Sequence, residues 1–269
     1  DYQPSRGLGD VYKRQSSDLL SLKTDLLVIV INKNTKDKVV NQLAKDVSSH
    51  LKESGSSVLV PNAKSFNAKN VLLVKGFQDS DQIHKLISMY QSIAQKGNQL
   101  KAKDISIMPG TDYPKGKCEM WLIEMVAKTI ESNVYIFSET CNKTAKKPSV
   151  KKLNILVSSL TKSDLIKAKN AAKKGYAIGE GVNSAKYLGD LPANHCTPRI
   201  IEKKVKAMTK DFPKLKVKSF NENQMKKMGM GSFLSVSRGS EEPARMMVIE
   251  YKGGKSSEKP VALVGKGVT

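Results

Sequence analysis

The sequence predicts an α/β protein, and three observations predict it. Short continuous apolar runs such as Leu26-Leu27-Val28-Ile29-Val30 and Val71-Leu72-Leu73-Val74 sit between polar residues, as strands buried on both faces do. Each is followed by a segment whose apolar residues recur every three or four positions, the period of a helix. Alternation of this kind gives a largely parallel sheet with helices on its faces. Finally, 269 residues suffice for two domains, each with its own core.

After the run at 26–30, Val39, Val40, Leu43 and Val47 mark a helix, and Gly55 closes that unit. Beyond Val71–Val74 and Gly76, a helix carries Ile83, Leu86, Ile87, Tyr90 and Ile93. Ile105-Ser106-Ile107 reads as a strand, with a loop containing Pro109, Gly110 and Pro114 after it. A helix follows around Trp121, Leu122, Met125, Val126 and Ile130, and Leu153-Asn154-Ile155-Leu156-Val157 is the next strand. These elements make a first domain at 16–159.

Residues 1–15 show neither helix nor strand periodicity and no apolar stretch behind their basic residues, Arg6-Gly7-Leu8-Gly9 included. They read as an appended scar rather than a signal peptide and are set outside the expected fold.

From Ser163 to Leu188 one long helical pattern places Leu165, Ala168, Ala172, Gly175, Gly179 and Val182 on one stripe. Its small middle would let another backbone approach closely, which suits a helix at 160–189 linking two domains or subunits. The alternative is a surface helix that tolerates its glycines at about 1 kcal/mol each.

The second part, 190–269, is also read as α/β. Thr197 can cap a helix with Pro198 at its first position and Ile201, Val205 and Met208 on its buried face. Lys214-Leu215-Lys216-Val217-Lys218 alternates as a half-exposed strand, and Asn221 can cap a short helix that Gly229 ends. Met246–Tyr251 and Val261–Val264 are expected as two further strands, the last fully buried.

Composition limits the function classes. No run approaches the roughly 18 consecutive apolar residues of a membrane span, so a membrane protein is not expected. Lys+Arg 46 against Asp+Glu 25 gives +21, a field that attracts nucleic acid, acidic surfaces or anionic substrates without choosing among them. Lysines such as Lys167, Lys169, Lys173 and Lys174 fit a solvated helix face, and the densest stretch is Lys143–Lys152. Cys118, Cys141 and Cys196 are far apart, odd in number and without a CxxC pair, which argues against disulfides and a zinc knuckle and fits a reducing cytosol.

Counting positions removes several site patterns. Ile249 and Pro260 stand where a P-loop would need glycine before Gly254-Lys255 and Gly265-Lys266. Gly175, Gly179 and Gly181 do not form GxGxxG, no serine sits in GxSxG, and His50, His84 and His195 include no HExxH pair. His195 precedes a helix cap and reads as a turn residue. At the chain's end a buried strand would run into Gly265-Lys266-Gly267, putting a lysine where open α/β sheets bind ligands. The plain alternative is a solvent-facing lysine after a strand.

The order of several stretches is more specific. Ala185-Lys186-Tyr187-Leu188-Gly189-Asp190-Leu191-Pro192-Ala193-Asn194-His195-Cys196-Thr197-Pro198 comes first, then Met225-Lys226-Lys227-Met228-Gly229-Met230-Gly231-Ser232-Phe233-Leu234-Ser235-Val236. Gly239-Ser240-Glu241-Glu242-Pro243, Val248-Ile249-Glu250-Tyr251 and Leu263-Val264-Gly265-Lys266-Gly267-Val268-Thr269 follow. In order and spacing these resemble the leucyl aminopeptidase (cytosol aminopeptidase) family, specifically from about Gly175 and loosely before it. Asp190 departs from the family, where asparagine is frequent.

The resemblance implies a macro-domain-like amino-terminal mixed sheet with flanking helices, a linking helix, and the start of a catalytic α/β domain. It implies a metallo-aminopeptidase that removes N-terminal, leucine-type residues from peptides with two divalent ions, manganese or zinc with magnesium a further option, in a cytoplasmic homohexamer. Two metals bind the free amine, polarise the carbonyl and generate hydroxide. By that resemblance Lys266 is a metal ligand, necessarily as the neutral amine, because an ammonium has no lone pair. The family's carboxylate ligands and its catalytic lysine and arginine are expected beyond Thr269, so no catalytic residue is present and the chain is expected to be inactive alone. Val261–Val264 would then be an uncovered edge, and the part after Gly189 poorly folded by itself. The competing expectation is a basic amino-terminal module that binds DNA or a nucleotide-like ligand, although the aromatic content of 6% offers no stacking platform.

Overall fold

The computed structural model describes residues 10–13, 16–32, 35, 38–77, 83–111, 113–140, 148–157 and 161–267. Arg6 to Gly9, Cys141, the lysines between 143 and 147, and Val268-Thr269 lie outside them. Two compact units divide the chain, 1–187 and 188–269.

The first unit is a six-stranded sheet in the order β1-β6-β5-β2-β4-β3. Its strands are β1 (Asp10–Lys13), β2 (Thr24–Ile31), β3 (Ser57–Pro61), β4 (Ala68–Lys75), β5 (Asp104–Met108) and β6 (Lys152–Val157). All neighbours are parallel except β3 on β4. Helices α1 (Ser16–Ser21), α2 (Lys38–Asp46), α3 (Ile83–Gln99), α4 (Glu119–Asn133) and α5 (Lys162–Asp190) complete the helical elements up to Asp190. The mixed α/β fold expected from the alternating pattern is the one observed.

The continuous apolar runs are explained by two cores, one on each face of the sheet. Leu26, Val28 and Val30 of β2 pack with Leu86, Tyr90 and Ile93 of α3 and Leu122, Val126 and Ile130 of α4. Leu27 and Ile29 point the other way, into a cluster with Leu19 of α1 and Val40 of α2. Successive strand residues face opposite sides, so a strand covered on both faces has no polar alternation to show. Each such Leu, Ile or Val contributes about 1.5–3 kcal/mol by leaving water.

Three expectations for this unit are corrected. Asp10–Lys13 lies inside the fold, not outside it: these residues extend the sheet beside β6, and Val11, opposite Ile155, is buried. Gly55 closes no helix; with φ +84 it forms the turn into β3, a strand that the sequence pattern did not announce. The stripe on α5 does meet another backbone closely, but that backbone is α4 of the same unit. Val182 is exposed, and Asn183 and Tyr187 are buried instead, because a 3.6-residue period drifts from a strict three-four step over several turns.

The second unit is smaller. Beyond a 3₁₀ turn at Ala193–His195 it contains α6 (Pro198–Met208), β7 (Leu215–Phe220), α7 (Glu222–Lys227), α8 (Gly231–Ser235) and β8 (Met246–Tyr251). β7 and β8 pair antiparallel and make a two-stranded sheet. The expected caps are in place. The Thr197 side chain accepts from the Ile200 amide with Pro198 in the first turn, and Asn221 and Gln224 form a reciprocal capping box. Gly229, at φ +73, ends α7.

Two expectations fail in this unit. Ile201 and Val205 are only half-buried and Met208 is exposed, since the two strands beside α6 offer too little surface to cover it. Val261–Val264 is neither a strand nor buried; Val261, Leu263 and Val264 are 89%, 95% and 98% exposed. A strand needs a neighbouring ladder for its amides, and among the described residues nothing pairs with this segment.

Candidate functional site

The candidate metal ligand, Lys266, lies on an extended, exposed stretch between Gly265 and Gly267. Neither glycine would bring an added Cβ within 4 Å of any neighbour, so the turn is open on all sides. Among the described residues no three His, Cys, Asp or Glu side chains come together as a metal-binding group. The residues present therefore do not hold a dication by themselves, and no catalytic step follows from them. His195 is exposed in its 3₁₀ turn, as a turn residue should be. Cys118 is exposed and Cys196 half-buried, both as free thiols.

What the second unit does build is a charged pin on α6. Glu202 accepts from Lys206, one turn along the helix, at 2.6 Å and from Arg245, just before β8, at 2.7 Å. The Lys206 ammonium above all, helped by the Arg245 guanidinium, lowers the Glu202 carboxyl to about 2. Both Glu202 and Arg245 are mostly shielded from solvent. Glu222 of α7 accepts from the Ala244 amide at 2.9 Å, so two carboxylates fix the approach to β8. The Glu202–Lys206 half was legible as a four-residue helical spacing, whereas Arg245, 43 residues away, had no signal.

In the first unit a polar row crosses the sheet at the amino-terminal ends of its strands. Asn154 of β6 donates to Ser106 of β5 at 3.0 Å, Ser106 donates to Thr24 of β2 at 3.1 Å, and Thr24 donates to the Asp104 carboxylate. Ser106 is fully buried, and the Asn154 side-chain oxygen is buried with no hydrogen-bond partner. Beside the row, Lys69 pairs with Asp25 at 2.5 Å, and its hydrogen bond holds the Asp25 carboxyl below the usual carboxylate range. These polar residues interrupt otherwise apolar strands, which was the only trace of them in the sequence.

The close approach of α5 to α4 is anchored at its far end by polar contacts. Buried Asn183 donates to the Glu131 carbonyl at 2.9 Å and to its carboxylate at 3.2 Å. The Tyr187 hydroxyl donates to Glu139.

With this geometry in hand, residues 183–269 match the family described as the cytosol aminopeptidase family, catalytic domain. A probable cytosol aminopeptidase of Pseudomonas fluorescens (strain SBW25) is 32% identical over 264 residues, 93% of this chain and 52% of that protein. The cytosol aminopeptidase of Pseudomonas aeruginosa (strain PAO1) is 30% identical over the same shares. In three dimensions the fold matches a tomato leucine aminopeptidase mutant with a TM-score of 0.74 at 18% identity, over 96% of this chain and 54% of that one. A bottromycin maturation enzyme, BotP, solved in complex with Mn, matches with 0.65 at 16% identity, over 84% and 45%.

An α/β amino-terminal unit followed by residues of an aminopeptidase catalytic domain places the chain among metallopeptidases. It belongs to the cytosol aminopeptidase family. The chain spans about half the length of the curated relatives it matches. Among the described residues no helix is long and apolar enough to cross a membrane.

Proposed function

We propose that this chain is the amino-terminal part of a two-metal aminopeptidase that removes N-terminal, leucine-type residues from peptides, and that it is inactive by itself. The observation that carries this is the match of residues 183–269 to the catalytic domain of the family, ending in the Gly265-Lys266-Gly267 turn. Manganese or zinc is the expected pair of ions, with magnesium a further option, in a cytoplasmic homohexamer. When bound, such ions polarise the scissile carbonyl and activate water. Lys266 would serve as one ligand through its neutral amine, and the carboxylate ligands and catalytic groups would come from sequence beyond Thr269.

The chemistry of Lys266 supports that role conditionally. A lysine near its reference pKa of about 10.4 is protonated at neutral pH and cannot ligate. Burial and a neighbouring dication both lower that value, and Lys266 is exposed. Ligation therefore requires the covering that the remainder of a catalytic domain would supply.

The test is release of leucine from a leucyl amide with Mn²⁺ or Zn²⁺ present. The 269-residue chain is expected to give none, and the protein extended beyond Thr269 to be active. In the extended protein Lys266→Ala should weaken metal binding in calorimetry. Metal-dependent turnover by the 269-residue chain, or unchanged metal affinity in the variant, overturns the proposal.

A further inference from the structure

We infer that the outer edge of β8 is an interface between copies of this chain, occupied by the segment Val261–Val264 of a second copy. The second sheet has two strands, and among the described residues β8 pairs only with β7. Its outer edge therefore presents unpaired amides and carbonyls, flanked by Val248, Ile249 and Tyr251, which are 49%, 52% and 64% exposed. An exposed, apolar edge of this kind is a template for another strand. Two-stranded sheets are marginal in water, so a third strand is a gain.

The same chain carries the matching piece. Val261-Ala262-Leu263-Val264 has no charge and no proline, favours extended backbone, and stands almost fully in solvent. Its charges also suit the edge, since Lys259 and Lys266 flank it and β8 presents the exposed Glu250.

The exit from β8 points the segment away from its own sheet. The Lys252 amide continues the ladder onto the Lys214 carbonyl at 3.1 Å. Gly253 lies so close to the Tyr251 ring that an added Cβ would stand 2.1 Å from it. A turn follows, closed from the Glu258 amide to the Lys255 carbonyl at 3.1 Å. Folding back onto its own β8 would disturb these contacts, whereas reaching a second copy leaves them intact. Two copies that exchange the segment reciprocally close as a symmetric dimer. Burying two apolar strands and two sheet edges approaches the roughly 1,000 Å² that a specific interface needs.

The test is light scattering coupled to size exclusion on the 269-residue chain, over about 1–100 μM so that mass action is visible. The expected result is a concentration-dependent species of twice the 29.6 kDa chain mass, with the 261–264 amides protected from hydrogen exchange only in the dimer. Leu263→Lys, at an exposed position, should weaken dimerisation roughly tenfold or more while leaving the circular dichroism spectrum unchanged. A monomer at every concentration overturns the inference, whether the 261–264 amides are protected or not. Open-ended aggregation, or association that Leu263→Lys does not affect, overturns it as well.

Discussion

A Cβ placed on Gly175 would stand 2.1 Å from the carbonyl oxygen of Glu124, so α5 and α4 meet backbone against backbone. Gly179 repeats the contact one turn on, where an added Cβ would lie 2.7 Å from that of Glu131. Backbone cannot move aside as the end of a side chain can. Gly175→Ala is therefore expected to destabilise the first unit by about 1–3 kcal/mol, the cost of overpacking. Urea unfolding followed by circular dichroism measures this. The reference is Gly181→Ala, where an added Cβ meets nothing and helix propensity favours alanine. Equal midpoints for the two variants would refute the close-approach reading.

Acid should loosen the second unit through Glu202. Its carboxyl is lowered from 4.5 to about 2 in the fold, so it binds a proton less readily there than in the unfolded chain. The stabilisation is present above pH 4.5 and fades as pH falls towards 2. For a pair partly open to solvent it amounts to about 1 kcal/mol. Glu202→Gln should lower stability at pH 7 and flatten the acid limb between those values, read by chemical denaturation at a series of pH values. An acid limb that is the same in wild type and variant would count against the pin.

Cutting the polar row of the first unit should cost more than one hydrogen bond. Ser106→Ala leaves the Asn154 amide without its acceptor and removes the donor to Thr24, both at buried positions. Unsatisfied buried groups cost about 1–3 kcal/mol. The double variant Ser106→Ala, Asn154→Leu should recover part of that loss, because both polar partners are gone. Additive effects in the double-mutant cycle would show that the row does not act as a unit.

The +21 charge predicts adsorption to polyanions at low salt. Fluorescence anisotropy with a labelled DNA duplex should show affinity that drops by orders of magnitude between about 50 and 200 mM salt. Affinity that stays flat over that range would exclude a phosphate-driven contact and, with it, the nucleic-acid reading of the lysines.

Hydrophobic period and end-capping chemistry are local, and sequence alone determined what depends on them. The apolar runs at 26–30, 71–74 and 153–157, the Thr197-Pro198 helix start and the Asn221 cap all read true because each rests on a few adjacent residues. The ordered stretches from Ala185 to Thr269 pointed to the aminopeptidase family for the same reason, since a motif is a local record of chemistry. Partners and coverage are not local. Asp10–Lys13 has no period of its own and is a strand only because β6 offers it a ladder. The glycines of α5 announced a close neighbour, but only the fold showed that neighbour to be α4. Glu202 found Arg245 across 43 residues. Val261–Val264 has the composition of a buried strand, yet burial requires surface to cover it, and the second unit has none to give; the same shortage leaves Lys266 in solvent, without companions for a metal.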